Sequence, residues 1–304
     1  MNVLFLSILT VLCRFASCAE WCYQTQVTCN STCVGPDEWA TIYQNCGNVH
    51  QSPINIVTKN ASTVSHLTEM VFTGYEEMIN RVIINNGHTV QMNLPNIATI
   101  KEANLEGTYI AQQLHLHWGK NGGPGSEHTI DGEKYPMELH IVHIKEKYSS
   151  VEQAINDSSG VAVLGFFYEE SENANKNYEA IINSLENITH PGTNVTLGDV
   201  SLDMLIPPHD KLAKYYRYQG SLTTPACSEA VVWTIFEERI PLSKEQLSAF
   251  SNLTFSDGTA MVNTYRPVQL RNDREVFYSR SYVFCVSTAF LISSVFTSLY
   301  ALML

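Results

Sequence analysis

Two short runs decide most of what this chain can become. From Tyr109 to Trp118 it reads Tyr-Ile-Ala-Gln-Gln-Leu-His-Leu-His-Trp, and residues 137–144 read Met-Glu-Leu-His-Ile-Val-His-Ile. Both runs alternate over β-branched, aromatic and polar positions, and successive strand side chains point to opposite faces. Gln113, His115 and His117 therefore share one face of the first strand, with Leu114, Leu116 and Trp118 on the other. On the second strand Glu138, His140 and Val142 share a face. A neighbouring or nearly neighbouring strand can thus bring a third imidazole to the first two. Three histidines without a fourth protein ligand leave a zinc ion one coordination position for water. Gln113 and Glu138 each stand two residues before a histidine on its own face, where they can hold the ring nitrogen that does not bind metal. His143 is out of step with His140 and points away, as a packed or surface residue.

The remaining pattern reads as one unit. Strand-like runs cover 81–84, 89–94, 161–168 and 231–236, no repeat is present, and no linker is long enough to divide the chain. Tyr178, Ile181, Ile182, Leu185 and Ile188 have helical spacing, and Ser243-Lys-Glu-Gln246 ahead of Leu247 and Phe250 predicts a capping box opening a short helix. A chain of 304 residues with 44% hydrophobic residues can bury a large core as a single mainly β domain. The net charge of −12, with no basic cluster, excludes a nucleic-acid partner.

Several segments resemble the α-class carbonic anhydrases, in family order: Gln51-Ser-Pro-Ile-Asn-Ile56, Asn85-Asn-Gly-His88, residues 113–119, Gly125-Ser-Glu-His128, residues 137–143, Val161-Ala-Val-Leu-Gly165, Gly220-Ser-Leu-Thr-Thr-Pro225, Val232-Trp233 and Arg266-Pro267. They span about 21–276. The opening Glu20-Trp-Cys-Tyr23, the Lys145-Glu-Lys147 run and the cysteine placement are most similar to the membrane-anchored, extracellular type IV branch. The resemblance implies a single domain with peripheral helices around a large, mostly antiparallel twisted sheet of about ten strands. It implies zinc-dependent, reversible hydration of carbon dioxide to bicarbonate and a proton, by attack of zinc-bound hydroxide, with zinc on His115, His117 and His140.

Further roles follow from the same resemblance. Thr223 accepts a hydrogen bond from the nucleophile and donates its own proton to Glu127, while Thr224 lines the bicarbonate site. Val142, Val163, Leu222 and Trp233 form an apolar wall for carbon dioxide, with Val161 behind it. His88 occupies the proton-shuttle position, where a group titrating near neutral pH is useful, and Tyr23, Asn86 and Gln91 order the connecting waters. His128 takes a buried structural role. Of eight cysteines, Cys13 and Cys18 fall in the leader and Cys285 in the tail, which leaves Cys22, Cys29, Cys33, Cys46 and Cys227. The type IV likeness implies Cys22 with Cys33 and Cys46 with Cys227; Cys22 with Cys29 is an alternative that the residues leave open.

Both ends carry processing signals. Residues 1–18 read as a signal peptide cleaved before Ala19, leaving 19–279 as the catalytic domain. Residues 282–304 contain no charge and have no basic residue after them, which fits either a glycosylphosphatidylinositol signal or a membrane span. Ser279-Arg-Ser281 offers small residues for lipid attachment at Ser279, with 280–304 as the removed segment and Asn272 as a weaker alternative. Sequons at Asn30, Asn60, Asn156, Asn187, Asn194 and Asn252 agree with export. The expected location is the outer face of the plasma membrane, with carbon dioxide, bicarbonate and water as small partners and bicarbonate or proton transporters as unidentified ones. Two other classes stand beside the enzyme: a catalytically silent binding module of the same fold, and a protein whose zinc is structural, closed by a fourth ligand.

Overall fold

The structure, a computed structural model, describes residues 21–26 and 33–279. The leader, the apolar tail, Cys29 and the Asn30 sequon lie outside the described residues.

Fourteen strands are present among the described residues. In chain order they are β1 (Asn55–Ile56), β2 (Ser62–Val64), β3 (Met70–Thr73), β4 (Ile79–Asn85), β5 (Val90–Asn93), β6 (Thr99–Glu102) and β7 (Tyr109–Trp118). There follow β8 (Thr129–Ile130), β9 (Met137–Lys145), β10 (Val161–Ser171), β11 (Asn194–Val200), β12 (Tyr215–Gly220), β13 (Val231–Ser243) and β14 (Phe277–Ser279). Twelve of them form one sheet, ordered β11-β4-β5-β7-β9-β10-β13-β12-β14-β2, with β6 also pairing β7 and β3 pairing β6. That is two strands more than the resemblance implied. Within it only β10 with β13 and β14 with β2 run parallel, so the sheet is mostly antiparallel as expected.

The long strands at the centre have apolar residues on both faces because both faces are covered. All nine residues of β9 are buried. One face of the sheet supports a large core that includes Leu114, Leu116, Trp118, Leu139 and Ile141; the other carries a smaller cluster with Val142, Val163, Trp233, Ile54 and Ile56. On β7 the alternation is interrupted by a register shift between Ala111 and Gln113. This bulge lets Ala111 and Leu114 both reach the large core, although they differ by an odd number, and it sets the parity that sends Gln113, His115 and His117 to the opposite side.

The helices are short. The helical spacing of 178–188 yields α1 (Glu179–Ser184) between single 3-10 turns, and α2 (Lys244–Ala249) opens on the predicted Ser243–Gln246 capping box. Cys22 is bonded to Cys33 and Cys46 to Cys227, which settles the open choice at Cys22. The five described sequon asparagines, Asn60, Asn156, Asn187, Asn194 and Asn252, are all exposed. Ser279 ends β14 opposite Val64 with its side chain buried: Oγ accepts from the Tyr215 amide at 2.8 Å and donates to the Ala213 carbonyl at 2.8 Å.

Candidate active site and metal centre

β7 and β9 are immediate neighbours, and their register sets His115 directly opposite His140 and His117 opposite Glu138. The three imidazoles consequently converge, with one nitrogen of each within 4.8 Å of the others. What the opposite nitrogens do identifies which ones face inward. His115 Nδ1 donates to Gln113 Oε1 at 2.9 Å, His117 Nδ1 to the Thr264 carbonyl at 2.5 Å, and His140 Nε2 to Glu138 Oε1 at 2.8 Å. Each ring is thereby locked as the tautomer that leaves a lone pair on His115 Nε2, His117 Nε2 and His140 Nδ1. Of these, His117 Nε2 is buried without any hydrogen-bond partner, an expensive state unless a cation takes it up. The donor set is three neutral imidazoles, which suits zinc and leaves a coordination position open. Burial, reinforced by the neighbouring imidazoles, holds His115 well below its ordinary range; burial also lowers His117, partly offset by Glu127.

Glu138 organises this cluster from beneath. It is fully buried, and Oε1 also accepts from His128 Nδ1 at 2.7 Å while Oε2 accepts the Glu127 and His128 amides, both at 2.8 Å. Burial alone would raise its carboxyl, but His128 and His140 hold it well below the usual carboxylate range. His128, Glu138 and His140 also lie close enough to hold a metal, yet their facing atoms are already committed to these hydrogen bonds. His128 is buried as expected, with Nε2 lying 2.7 Å from the Tyr218 hydroxyl, which in turn lies 2.8 Å from Ser52 Oγ.

The family-level comparison agrees with this geometry. The model of the eukaryotic-type carbonic anhydrases matches residues 34–280. Carbonic anhydrase 4 of Oryctolagus cuniculus is 41% identical over 265 residues, 86% of this chain and 85% of that protein. Human carbonic anhydrase 12 is 37% identical over 281 residues, 88% of this chain and 78% of that one, and bovine carbonic anhydrase 6 is 36% identical over 263 residues, 84% and 79%. The chain belongs to the eukaryotic-type carbonic anhydrase family. It is a zinc enzyme of carbon dioxide hydration, with His115, His117 and His140 positioned to bind the ion.

Around the metal-binding nitrogens of this carbonic anhydrase the other expected residues fall into place unevenly. Val142, Val163 and Trp233 stand in register across β9, β10 and β13, and form one apolar strip with half-buried Leu222 packed against it; Val161 is buried in the same cluster. The Trp233 ring lies 4.8 Å from that of His140, and its Nε1 is fixed by the Ser221 carbonyl at 3.0 Å. Tyr23, Asn86, His88, Gln91 and Thr224 line one cleft with His115 and His117. Asn86 Nδ2 donates to Gln91 Oε1 at 3.1 Å, and Asn86 Oδ1 accepts from the His88 amide at 3.0 Å.

Two expectations meet a different geometry. No hydrogen bond joins Thr223 to Glu127: Glu127 Oε1 accepts from the Arg266 amide at 2.8 Å, and Oε2 is buried without a hydrogen-bond partner, 3.4 Å from His117 Nε2. His88, expected to titrate near neutrality, stacks on Trp21 at 3.8 Å, and burial pushes its imidazole down to about 4. The bulky neighbour desolvates the cation and offers no carboxylate in exchange.

The residues that sequence reasoning missed are of two kinds. Thr264 acts through its backbone carbonyl, for which side-chain identity carries no signal. Trp21, Ser52, Tyr218 and Arg266 were within reach: each lies inside or beside a segment that carried the family resemblance, but its contact is with a residue far along the chain.

Proposed function

We propose that this carbonic anhydrase works at the outer surface of the plasma membrane, with His88 as its internal proton carrier. The observation that carries the catalytic part of this reading is the convergence of three imidazole lone pairs, each fixed by a hydrogen bond behind its ring. Zinc bound there supplies Lewis-acid activation of water as the nucleophile. Glu127 Oε2, buried and unpartnered, is the acceptor assigned to the Thr223 hydroxyl proton. With that proton committed, Thr223 can only accept from the nucleophile, which turns a lone pair towards the substrate carbon. The Val142, Val163, Leu222 and Trp233 strip offers carbon dioxide an apolar resting place, and Thr224 supports the bicarbonate product. His88 accepts the proton through water ordered by Tyr23, Asn86 and Gln91. A silent binding module would need a defective ligand set, and all three imidazoles are present.

Carbon dioxide hydration followed by stopped flow, with zinc measured on the same sample, tests the assignment. His117→Ala is expected to lose both zinc and activity; Thr223→Ala is expected to keep zinc and hydrate more slowly. Full zinc with normal hydration in His117→Ala, or unchanged kinetics in Thr223→Ala, rules out the corresponding role.

Export is supported by two disulfides and five exposed sequons, and lipid anchoring by the uncharged segment 282–304. The lipid is assigned to the Ser279 carbonyl, at the end of a strand that holds the last residue of the domain against the sheet. No helix among the described residues is long and apolar enough to cross a membrane. Phosphatidylinositol-specific phospholipase C should release active enzyme from intact expressing cells. Enzyme that stays on the cells and retains Leu304 would identify a membrane span instead.

A further inference from the structure

The rings of Trp21 and His88 are stacked, with centroids 3.8 Å apart and planes within 10° of each other. Under this cover His88 Nδ1 is buried without a hydrogen-bond partner. An imidazolium is a donor at both nitrogens, so the charged form of His88 has a buried N–H unsatisfied, whereas the neutral ring can place its lone pair there instead. Trp21 also keeps water from one face of the ring, which penalises the charged form further.

Trp21 is held there by residues that follow it in the chain. It pairs with Val34 in a parallel bridge, and the Cys22 amide donates to the Val34 carbonyl at 2.9 Å. The Cys22–Cys33 disulfide joins the residue after Trp21 to the residue before Val34, which locks this pairing covalently. Fully buried Trp39 completes the hold: its Nε1 donates to the Val34 carbonyl at 3.1 Å and to the Cys22 carbonyl at 3.3 Å, and its ring packs edge-on to Trp21 at 5.2 Å. Cys22, Cys33 and Trp39 do not line the cleft shared by His88, His115 and His117, whereas Trp21 does. We propose that the Cys22–Cys33 bridge and Trp39 are positioning elements of the proton relay, which hold Trp21 over His88 and so slow delivery of the product proton to that carrier; this rests on the carrier role proposed for His88. Opening the bridge frees Trp21 to leave the ring, and water then reaches Nδ1.

The test uses the full zinc enzyme carrying Cys22→Ser and Cys33→Ser together, with the Cys46–Cys227 bridge intact, and follows carbon dioxide hydration by stopped flow in weak buffer and in concentrated imidazole. In weak buffer the maximal rate should rise ~3–10-fold over wild type, since a base that charges more readily takes up the proton faster. In concentrated imidazole, which replaces the internal carrier, the rate should stay within about twofold, as should kcat/KM, because the zinc ligands and the apolar wall are untouched. Trp39→Phe removes the indole donor but keeps the bridge, and should give the same buffer-selective gain even if the cysteine variant fails to fold. In a His88→Ala background neither change should raise the rate. A weak-buffer rate that rises in neither variant, as a purely stabilising role would give, a gain of equal size in concentrated imidazole, or a gain that persists without His88 would overturn the positioning role. A His88→Ala enzyme that matches wild type at every buffer concentration would instead overturn the carrier reading beneath it.

Discussion

Glu138 shows how much one side chain can carry. Its carboxylate accepts four hydrogen bonds, two from imidazoles and two from amides, and so fixes His140, His128 and the backbone that presents Glu127. Glu138→Gln keeps the shape but turns an NH2 group towards at least one of these donors, leaving it unsatisfied in a buried site. Zinc affinity should fall ~10–100-fold, read as faster metal loss to a chelator, with the fold retained. Unchanged zinc affinity would mean that His140 is oriented by something else. His88 presents the opposite case, a residue whose chemistry is set by a neighbour the pattern did not reveal. Burial beside Trp21 lowers its imidazole to about 4, which limits it as the proton carrier, so removing Trp21 should make it a better base. In Trp21→Ala the His88 ring is expected to titrate closer to its ordinary 6.5 by NMR, and the maximal rate should depend less on added imidazole buffer. A His88 titration unmoved by the substitution would show that Trp21 is not what depresses it.

At the scale of elements, β9 is informative because both its faces are buried and each face has a different task. His140 and Val142 serve the site, while His143, in the alternate parity, is fully buried, with Nε2 2.6 Å from the Tyr75 hydroxyl and Nδ1 3.0 Å from the Ile141 carbonyl. Burial lowers its imidazole to about 4, against 6.5 in the unfolded chain. Because the folded value is depressed, the stabilisation is fully present above about pH 6.5 and is lost as pH falls towards 4, a loss of about 3 kcal/mol. His143→Gln should therefore flatten the acid side of the stability profile, measured by denaturant unfolding between pH 7 and 4. An identical slope in both proteins would exclude His143 as a source of acid sensitivity. The same parity argument explains what was legible here. β7 and β9 could be read because one strand face is polar and the other apolar, and the long strands β10 and β13 were visible as apolar runs whose ends extend further than periodicity indicated. β11 could not be read: Gly198 and Asp199, with Asp199 in the left-handed region, interrupt its alternation, and only pairing with β4 makes it a strand.

Across the whole molecule, the Cys46–Cys227 bridge closes a loop of 181 residues and ties the segment after the short helix Trp39–Ile42 to the loop that bears Thr223 and Thr224. In a chain-entropy account it stabilises by about 5 kcal/mol. Replacing both cysteines by serine should lower the unfolding midpoint strongly and also slow hydration, because the loop carrying Thr223 loses its anchor. Lost stability with normal hydration would confine the bridge to a stabilising role. The sequence by itself determined the ligand set, the faces on which the ligands lie and the family, since these depend on residue type and on the two-residue strand period, which are local properties. The tertiary structure decided what local pattern cannot encode: that β7 and β9 are direct neighbours with His115 opposite His140, that the Thr264 carbonyl fixes His117, and that Trp21 covers His88. Each of these is a contact between residues remote in the chain, and burial and charge at such a contact depend on which distant surfaces the fold brings together.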